Sequence, residues 1–265
     1  MTRLNTADAA QDRLVIRQCH GVEEFEQCVT LQKEVWKFSD IDVIPLRMFV
    51  VADKIGGQVI GTFDGKTMVG FALSIPGSRS GHPYLHSHML AVREGYRNAG
   101  LGRRMKLAQR DDALARGYEL IEWTFDPLEI KNAYLNIERL GAIMRRYTIN
   151  QYGFSSSPLQ GGLPTDRLIA EWWLRSKRVE SLLGTGTLAK EKTEKTIAVP
   201  GAIYEWKASE SERVKAVQVQ LRNREEFLAA FSAGLAVIGY ERDAVDNGTF
   251  QLGRWREKFS YGSQE

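Results

Sequence analysis

HSHMLAVREGYRNAGLGRR, residues 86–104, combines an apolar run, two closely spaced glycines and a basic segment. Its apolar run ends at Val92 and predicts a strand. Gly100 and Gly102 then punctuate a turn, and apolar residues at helical spacing predict an amphipathic helix over 102–116. The sequence therefore predicts a strand, a turn and a helix in immediate succession.

The flanking sequence predicts further strands and helices in the order βααβββαβαββ. A strand–helix–strand crossing in a chain otherwise rich in hairpins indicates an α/β (α+β) fold with a mixed, mostly antiparallel sheet flanked by helices. A doubly wound dinucleotide fold would need G-x-G-x-x-G, whereas this turn reads R-x-x-G-x-G. The predicted strands are 13–18, 58–63, 67–75, 83–93, 119–125, 144–153 and 168–176, and the predicted helices are 21–36, 45–55, 102–116 and 128–141.

The two ends of the chain have a different character from the middle. Residues 1–12 are polar and are expected to form a loose tail. Residues 176–195 are rich in Lys, Glu, Thr and Gly, which predicts a linker or an exposed loop. Residues 196–265 are predicted to form a smaller α+β extension, whose helix begins at Ser209 with Glu212 completing a capping box.

Composition excludes several classes of protein. With 43% hydrophobic residues and no apolar run of membrane-spanning length, the chain is expected to bind no membrane and to be cytoplasmic. A net charge of +3 is too small to indicate nucleic acid as a partner. Cys19 and Cys28 are expected to be reduced thiols, although a disulfide between them is possible in principle. The four histidines form no Cys/His cluster, so no metal is expected.

The turn has the properties of a phosphate-binding site. Backbone N–H groups of residues 97–102 can converge at the start of a helix, where the helix dipole adds positive charge. Glycine allows close approach of an anion. Basic residues surround the turn, at Arg93, Arg97, Arg103, Arg104, Lys106, Arg110 and Arg116. An ordinary solvated helix face would be the preferred interpretation of these charges without the glycines.

Arg97, Gly100 and Gly102 follow a strand ending in Leu-Ala-Val, and this arrangement resembles the cofactor signature [R/Q]-x-x-G-x-[G/A] of the GNAT superfamily, the Gcn5-related N-acetyltransferases. The resemblance covers residues 13–175. It implies acetyl-CoA or another acyl-CoA as cofactor, with its pyrophosphate on the turn and its pantetheine arm along the preceding strand. The implied cofactor-binding residues are Leu90, Ala91, Val92, Arg97, Asn98, Ala99, Gly100, Leu101, Gly102, Arg103, Arg104, Asn132 and Asn136.

His86 and His88 stand just before the turn and are similar to the same stretch in serotonin N-acetyltransferases. Alternate residues of a strand share a face. An ammonium ion cannot attack a thioester, and imidazole is suited to remove its proton near neutral pH. The resemblance therefore implies that these histidines are catalytic. The alternative is that one or both are packed or hydrogen-bonded on a half-buried strand.

The family's general acid is expected to be a tyrosine four residues before the glycine that closes the next helix. In this sequence that glycine is Gly141 and the matching residue is Ile137. Tyr134 lies one helical turn earlier and is the candidate acid, with core packing as its alternative role. Asn132 and Asn136 are instead implied to hold the pantetheine amides.

Weaker candidates are charged residues outside the turn. Glu122 could order a water or an amine, or form an ion pair. The acidic residues Asp40 and Asp42 would suit a cationic acceptor if their loop borders the acceptor pocket; a solvated loop is the default. Three arginines could bind a carboxylate, namely Arg79, Arg145 and Arg146.

The leading functional hypothesis is N-acyl transfer by direct attack in a ternary complex. The acceptor is expected to be a small-molecule amine, and an amino acid is one option. The layout resembles a bacterial branch of the family with a long C-terminal extension, for which succinyl-CoA joins acetyl-CoA as a candidate donor. The extension is expected to cover the acceptor pocket or to form a homodimer contact. The alternative hypothesis is a non-catalytic acyl-CoA-binding sensor or scaffold; nucleic-acid binding by the basic patch is a third.

Overall fold

The computed structural model describes residues 13–257, which fold as two compact units. Residues 13–77 and 83–118 form the first unit, and residues 78–82 and 119–257 form the second. The predicted loose tail lies outside the described residues. Within them, no helix is both long enough and apolar enough to cross a membrane.

The first unit is a sheet with helices on both faces. Its strands lie in the order β1-β2-β3-β4, and β1–β2 and β2–β3 pair antiparallel. The strands are β1 (Val15–Gln18), β2 (Gln58–Asp64), β3 (Thr67–Arg79) and β4 (His82–Val92), and the helices are α1 (Gly21–Trp36), α2 (Leu46–Lys54) and α3 (Leu101–Ala115).

Two apolar clusters hold the first unit together, one on each face of the sheet. Phe25 of α1, Phe49 of α2 and Phe71 of β3 belong to the larger cluster. On the other face, Met105 of α3 packs in the smaller cluster with Val69 of β3. Phe71 and its neighbour Ala72, a member of the smaller cluster, lie on opposite faces as the period of a strand requires, whereas Val69 sits at a register shift between β2 and β3.

The second unit is also built on an antiparallel sheet, in the order β5-β7-β6-β9-β10-β8. The strands are β5 (Leu120–Phe125), β6 (Ile143–Thr148), β7 (Arg167–Trp173), β8 (Lys195–Val199), β9 (Leu235–Arg242) and β10 (Gly248–Arg254). The helices are α4 (Ile130–Tyr134), which continues as a π turn (Leu135–Arg139), α5 (Lys177–Thr185), α6 (Ile203–Ala208) and α7 (Arg213–Ser232).

The mixed fold with a mostly antiparallel sheet is confirmed. The predicted extension supplies β8 to β10, and β9 pairs with β6 at Met144 and Val237, so these strands continue the sheet of the second unit. The two compact units divide at Tyr118 and do not coincide with the predicted boundaries at residues 175 and 196.

Two predictions on the C-terminal side were wrong. Residues 177–185, predicted as a linker or exposed loop, form α5, because the Ser176 Oγ accepts from the Val179 N–H at 3.2 Å and two apolar side chains of the helix are buried. The helix predicted from Ser209 begins at Arg213, because residues 209–212 form a turn in which the Ser209 Oγ accepts from the Glu212 N–H at 3.4 Å.

Candidate functional site

The predicted turn connects the end of β4 to the start of α3 within the first unit. After a short 3₁₀ turn at Glu94–Tyr96, Asn98 and Gly100 adopt left-handed backbone with φ of 63° and 75°. Gly100 caps α3, and left-handed backbone explains why glycine is needed there. The Arg97 Nε donates to the Val92 carbonyl at 2.9 Å, which fixes the turn against the end of the strand.

The backbone amides of the turn are less numerous than predicted. The Arg97 N–H donates to the Glu94 carbonyl at 3.1 Å, so the candidate donors to an anion begin after Arg97. The first amides of α3 have no acceptor within the helix. Residues 98–100 are exposed, and a Cβ placed on Gly100 would meet no protein atom within 4 Å. This is an open cradle at a helix N-terminus, suited to a phosphate group.

Several of the basic residues near the turn are ion-paired or buried, so fewer of them are available to a ligand than the sequence indicated. Arg93 is paired with Glu34 at 3.0 Å and Arg116 with Asp112 at 2.6 Å. Lys106 is buried. The basic side chains left beside the turn are exposed Arg97 and half-buried Arg103 and Arg104, the last two of which also interact with neighbouring residues.

Strand β4 carries the predicted catalytic pair. Ser87 and Leu90 both face α3, whereas Met89 and Ala91 pack towards α1 and α2. Side chains of a regular strand alternate, so this alternation shifts by one residue between Ser87 and Leu90. The sequence contains no signal for such an irregularity.

His86 and His88 lie side by side, with ring centroids 5.9 Å apart. Burial, together with the charges of His88 and Lys106, lowers the pKa of His86 to about 4. Burial also lowers the pKa of His88. Both imidazoles are therefore neutral at pH 7 and each can accept a proton, as a base for an amine must.

Residues 19–134 match the family model of the acetyltransferase (GNAT) family. The chain carries a GNAT acetyltransferase domain. The match covers less than half of the chain, and this similarity indicates an acyltransferase that uses an acyl-CoA donor. No curated protein sequence matches the chain.

Solved structures agree on the fold. The ribosomal-protein-S18-alanine N-acetyltransferase of Escherichia coli is 13% identical, with a TM-score of 0.50 over 62% of this chain and 95% of that one. An N-acetyltransferase of Staphylococcus aureus Mu50 is 12% identical, with a TM-score of 0.50 over 61% and 99%. An acetyltransferase of Salmonella typhimurium, solved with acetyl-CoA, is 14% identical, with a TM-score of 0.50 over 63% and 98%.

The GNAT domain contains a buried polar network that sequence reasoning missed. The Lys106 Nζ donates to the Ser87 Oγ at 2.7 Å, and Gln109 links Ser87 to Ser74 of β3. The amphipathic pattern of α3 assigns a lysine to its solvated face, so only the three-dimensional packing shows that Lys106 points inward. Burial lowers the pKa of Lys106 to about 7.

Lys106 is expected to make stability depend on pH. Its pKa is 10.5 in the unfolded chain and about 7 in the fold, so the unfolded state binds more protons between these values and stability rises with pH across this window. The shift corresponds to a gain of up to about 5 kcal/mol from pH 7 to pH 10.5. Urea unfolding from pH 6.5 to 10 should show this rise in the wild type and not in Lys106→Met. Equal pH dependence in both proteins would contradict the buried position of the lysine.

The other predicted ligand residues lie in the second unit. Asn132 is exposed, and Tyr134 is 37% exposed with the Arg242 guanidinium 5.9 Å from its ring centroid. Asn136 is buried in the π turn, and its Nδ2 has no hydrogen-bond partner among residues 13–257. Ile137 is fully buried, so it serves the core at the position where the family's tyrosine was expected.

The remaining candidates form ion pairs. Glu122 pairs with Arg79 and Arg146, so the ion-pair alternative for this residue is confirmed. Asp40 is exposed and pairs with Lys33 at 2.6 Å. Asp42 is half-buried, and its backbone N–H donates to the Ser39 carbonyl at 3.0 Å.

Proposed function

We propose that this protein transfers an acyl group from coenzyme A to the amine of a small molecule. The amine nitrogen attacks the thioester carbon, the carbon–sulfur bond breaks, and coenzyme A leaves as thiolate. His86 and His88 take the proton that the amine loses. The observation that carries this proposal is a pair of neutral imidazoles a few residues before the phosphate cradle, on the same strand–turn–helix unit.

We propose that the cradle holds the pyrophosphate through amides from Asn98 onward, with Ala99 and Leu101 shaping it and Arg103 and Arg104 reaching further phosphates. The backbone of β4 at Leu90, Ala91 and Val92 would pair with the pantetheine arm. The buried Asn136 Nδ2 lacks an acceptor among the described residues, which supports a role for this amide in ligand binding. Asn132 is the second proposed amide.

Direct attack is favoured over an acyl-enzyme. The chain has two cysteines, and both Cys19 and Cys28 are free thiols buried in the first unit. The pKa of Cys28 is raised by its hydrogen bond with Cys19 and by burial, so this thiol is a poor nucleophile. The two reduced thiols agree with the cytoplasmic location that we propose.

For the acyl donor and the acceptor we propose chemical classes. The donor is acetyl-CoA or succinyl-CoA, and the acceptor is an amine of a small molecule, with amino acids as the first class to test.

Tyr134 is the proposed acid for the thiolate, since its ring is partly exposed. The C-terminal strands and helices are proposed to cover the acceptor or to support a homodimer.

A non-catalytic acyl-CoA sensor is the second candidate, favoured by the buried Ile137 at the tyrosine position. An assay of thiol release from acetyl-CoA and succinyl-CoA, against a panel of amino acids and simple amines, separates the two functions. Release that depends on an amine supports transfer. Tight CoA binding without release from either donor would leave the sensor as the function.

A further inference from the structure

Two buried carboxylates face each other across strands β5 and β7. Glu122 and Glu171 are direct partners in the antiparallel register, and their side chains are 5% and 1% exposed. Like charges opposite each other in a sheet are destabilising, and burial increases the cost. The sheet therefore needs positive charge at this position.

Three arginines supply that charge, and a β-bulge brings two of them together. Arg79 and Arg146 both pair with Glu122, and Arg145 pairs with Glu171 at 2.5 Å. The register of β6 shifts between Met144 and Arg146. Consecutive residues of a regular strand point to opposite faces, so the irregularity at Arg145 is what lets both arginines reach Glu171.

The arginines outnumber the carboxylates. Burial opposes ionisation of Glu171, but Arg145, Arg146 and Arg79 outweigh it and hold the pKa of this carboxyl below its ordinary value. Burial raises the pKa of Glu122 against the effect of its two arginines, and protonation there would only increase the excess. With three guanidinium groups and two carboxylates, the cluster carries at least one positive charge that no carboxylate in it balances.

Some guanidinium N–H donors of the three arginines have no acceptor among the described residues. Arg146 uses its Nε and one Nη, whereas Arg79 and Arg145 each use one Nη. Within residues 13–257, the other Nη of each arginine donates to no protein acceptor. The Arg145 and Arg146 side chains are 29% and 27% exposed, so part of each guanidinium faces solvent. Trp173 lines the cluster: its Nε1 donates to Glu171 at 3.2 Å, and its ring lies below Arg79.

We infer that the Arg79–Arg145–Arg146 cluster binds the carboxylate of a reactant. A single guanidinium for each glutamate would satisfy the fold, and the third leaves unused, partly buried guanidinium N–H donors that can pair with a carboxylate. The ligand class is a small carboxylate. Its source is either an acyl chain that ends in a carboxylate or an acceptor that carries one. The inference rests on the proposed function for the ligand being a reactant; the binding itself does not.

Two single variants change the charge of the cluster by one unit each, and a third keeps it unchanged. Arg145→Gln removes the excess charge and leaves each glutamate paired, Glu122 with Arg79 and Glu171 with Arg146. Arg145→Lys keeps the charge and is the matched control. Glu122→Gln adds one positive charge. Thermal unfolding of each variant confirms that it is folded.

The first measurement is calorimetric binding of succinate to the full chain, with succinamide as the neutral probe. Loss of a charge-assisted hydrogen bond should weaken succinate binding in Arg145→Gln by about tenfold to a hundredfold. Arg145→Lys should stay within about fivefold of the wild type, because the charge is kept but the fork is lost. Glu122→Gln should bind more tightly. Equal affinity of folded Arg145→Gln and wild type, or succinamide binding as tightly as succinate, would overturn the inference.

The second measurement identifies the source of the carboxylate. KM is compared for acetyl-CoA and succinyl-CoA, and for amino acids and their amides, in wild type and Arg145→Gln. A rise in KM confined to succinyl-CoA places the carboxylate on the donor, and a rise confined to free amino acids places it on the acceptor. If succinate binds as expected but no pair of substrates is turned over, the carboxylate site stands and the proposed transfer fails. Turnover with KM unchanged for every carboxylate substrate would overturn the inference that the ligand is a reactant.

Discussion

Gly102→Glu is expected to weaken acyl-CoA binding by at least about a hundredfold while the protein stays folded. Gly102 is the second residue of α3. A carboxylate there would stand beside a bound pyrophosphate, and two like charges about 4 Å apart repel by roughly 4 kcal/mol near a protein surface. That energy exceeds the loss needed for a hundredfold change. Glutamate in the first turn of a helix is itself favourable, so stability should be unchanged or slightly higher.

Isothermal titration with CoA measures this effect, and thermal unfolding measures the stability. Gly184→Glu is the matched control, because it makes the same substitution in α5, where a Cβ meets no atom within 4 Å. The control should bind CoA like the wild type. A folded Gly102→Glu protein with wild-type affinity would show that the turn does not hold the pyrophosphate.

The double variant His86→Ala/His88→Ala is expected to lower kcat by about a hundredfold to a thousandfold, within the range for loss of a general base. Binding of CoA should change little, because the cradle does not include these side chains. The pKa of both histidines is lowered, so in the wild type they are neutral at pH 6.5, and His86 stays neutral down to about pH 4. Proton removal by the enzyme should therefore persist into weakly acidic solution.

Steady-state kinetics from pH 5 to pH 9 test this expectation. The wild type should show no loss of kcat near pH 6.5, where a histidine with its ordinary pKa would titrate. The double variant should be most impaired at the acidic end, where water and buffer are poor bases for the amine. His20→Ala is the control, since His20 precedes α1 and is exposed. A double variant within about threefold of the wild-type kcat would leave the histidines with a packing role only.

The strand–turn–helix unit could be predicted because its signals are local. Left-handed backbone at Gly100 needs glycine, and α1 ends close to its predicted bound because its apolar residues follow the helical period. The Asp64-Gly65 turn signal is also local, and it correctly predicted the hairpin between β2 and β3.

Features that depend on distant parts of the chain were not predictable. Lys106 occupies a position that the helical pattern assigns to solvent, and only the packing of α3 on Ser87 buries it. The bulge that brings Arg145 beside Arg146 leaves no trace in the alternation of β6. Helix α5 was missed because its weak period lies in a stretch rich in lysine, glutamate and threonine, and its stability comes from burial of Val179 and Leu182.

The Arg97 amide shows how local geometry refines a motif. The sequence placed it among the phosphate-binding donors, but the 3₁₀ turn before it supplies Glu94 as its acceptor. Arg97 instead fixes the turn by donating its Nε to Val92. Arg97 therefore shapes the turn, and the amides that we propose as phosphate donors follow it in the sequence.

A single-turnover experiment with acyl-CoA labelled in the acyl carbonyl tests whether the acyl group passes directly from CoA to the amine. The protein is mixed in excess with labelled acetyl-CoA or succinyl-CoA and an accepted amine, quenched in acid, and analysed by mass spectrometry of both small molecules and intact protein. If the amine attacks the thioester directly, the label should pass to an N-acyl product in step with thiol release, with none on the protein. Direct N-acyl transfer would be contradicted if the label stayed in acyl-CoA although the donor is tightly bound, or if the label were found on the protein.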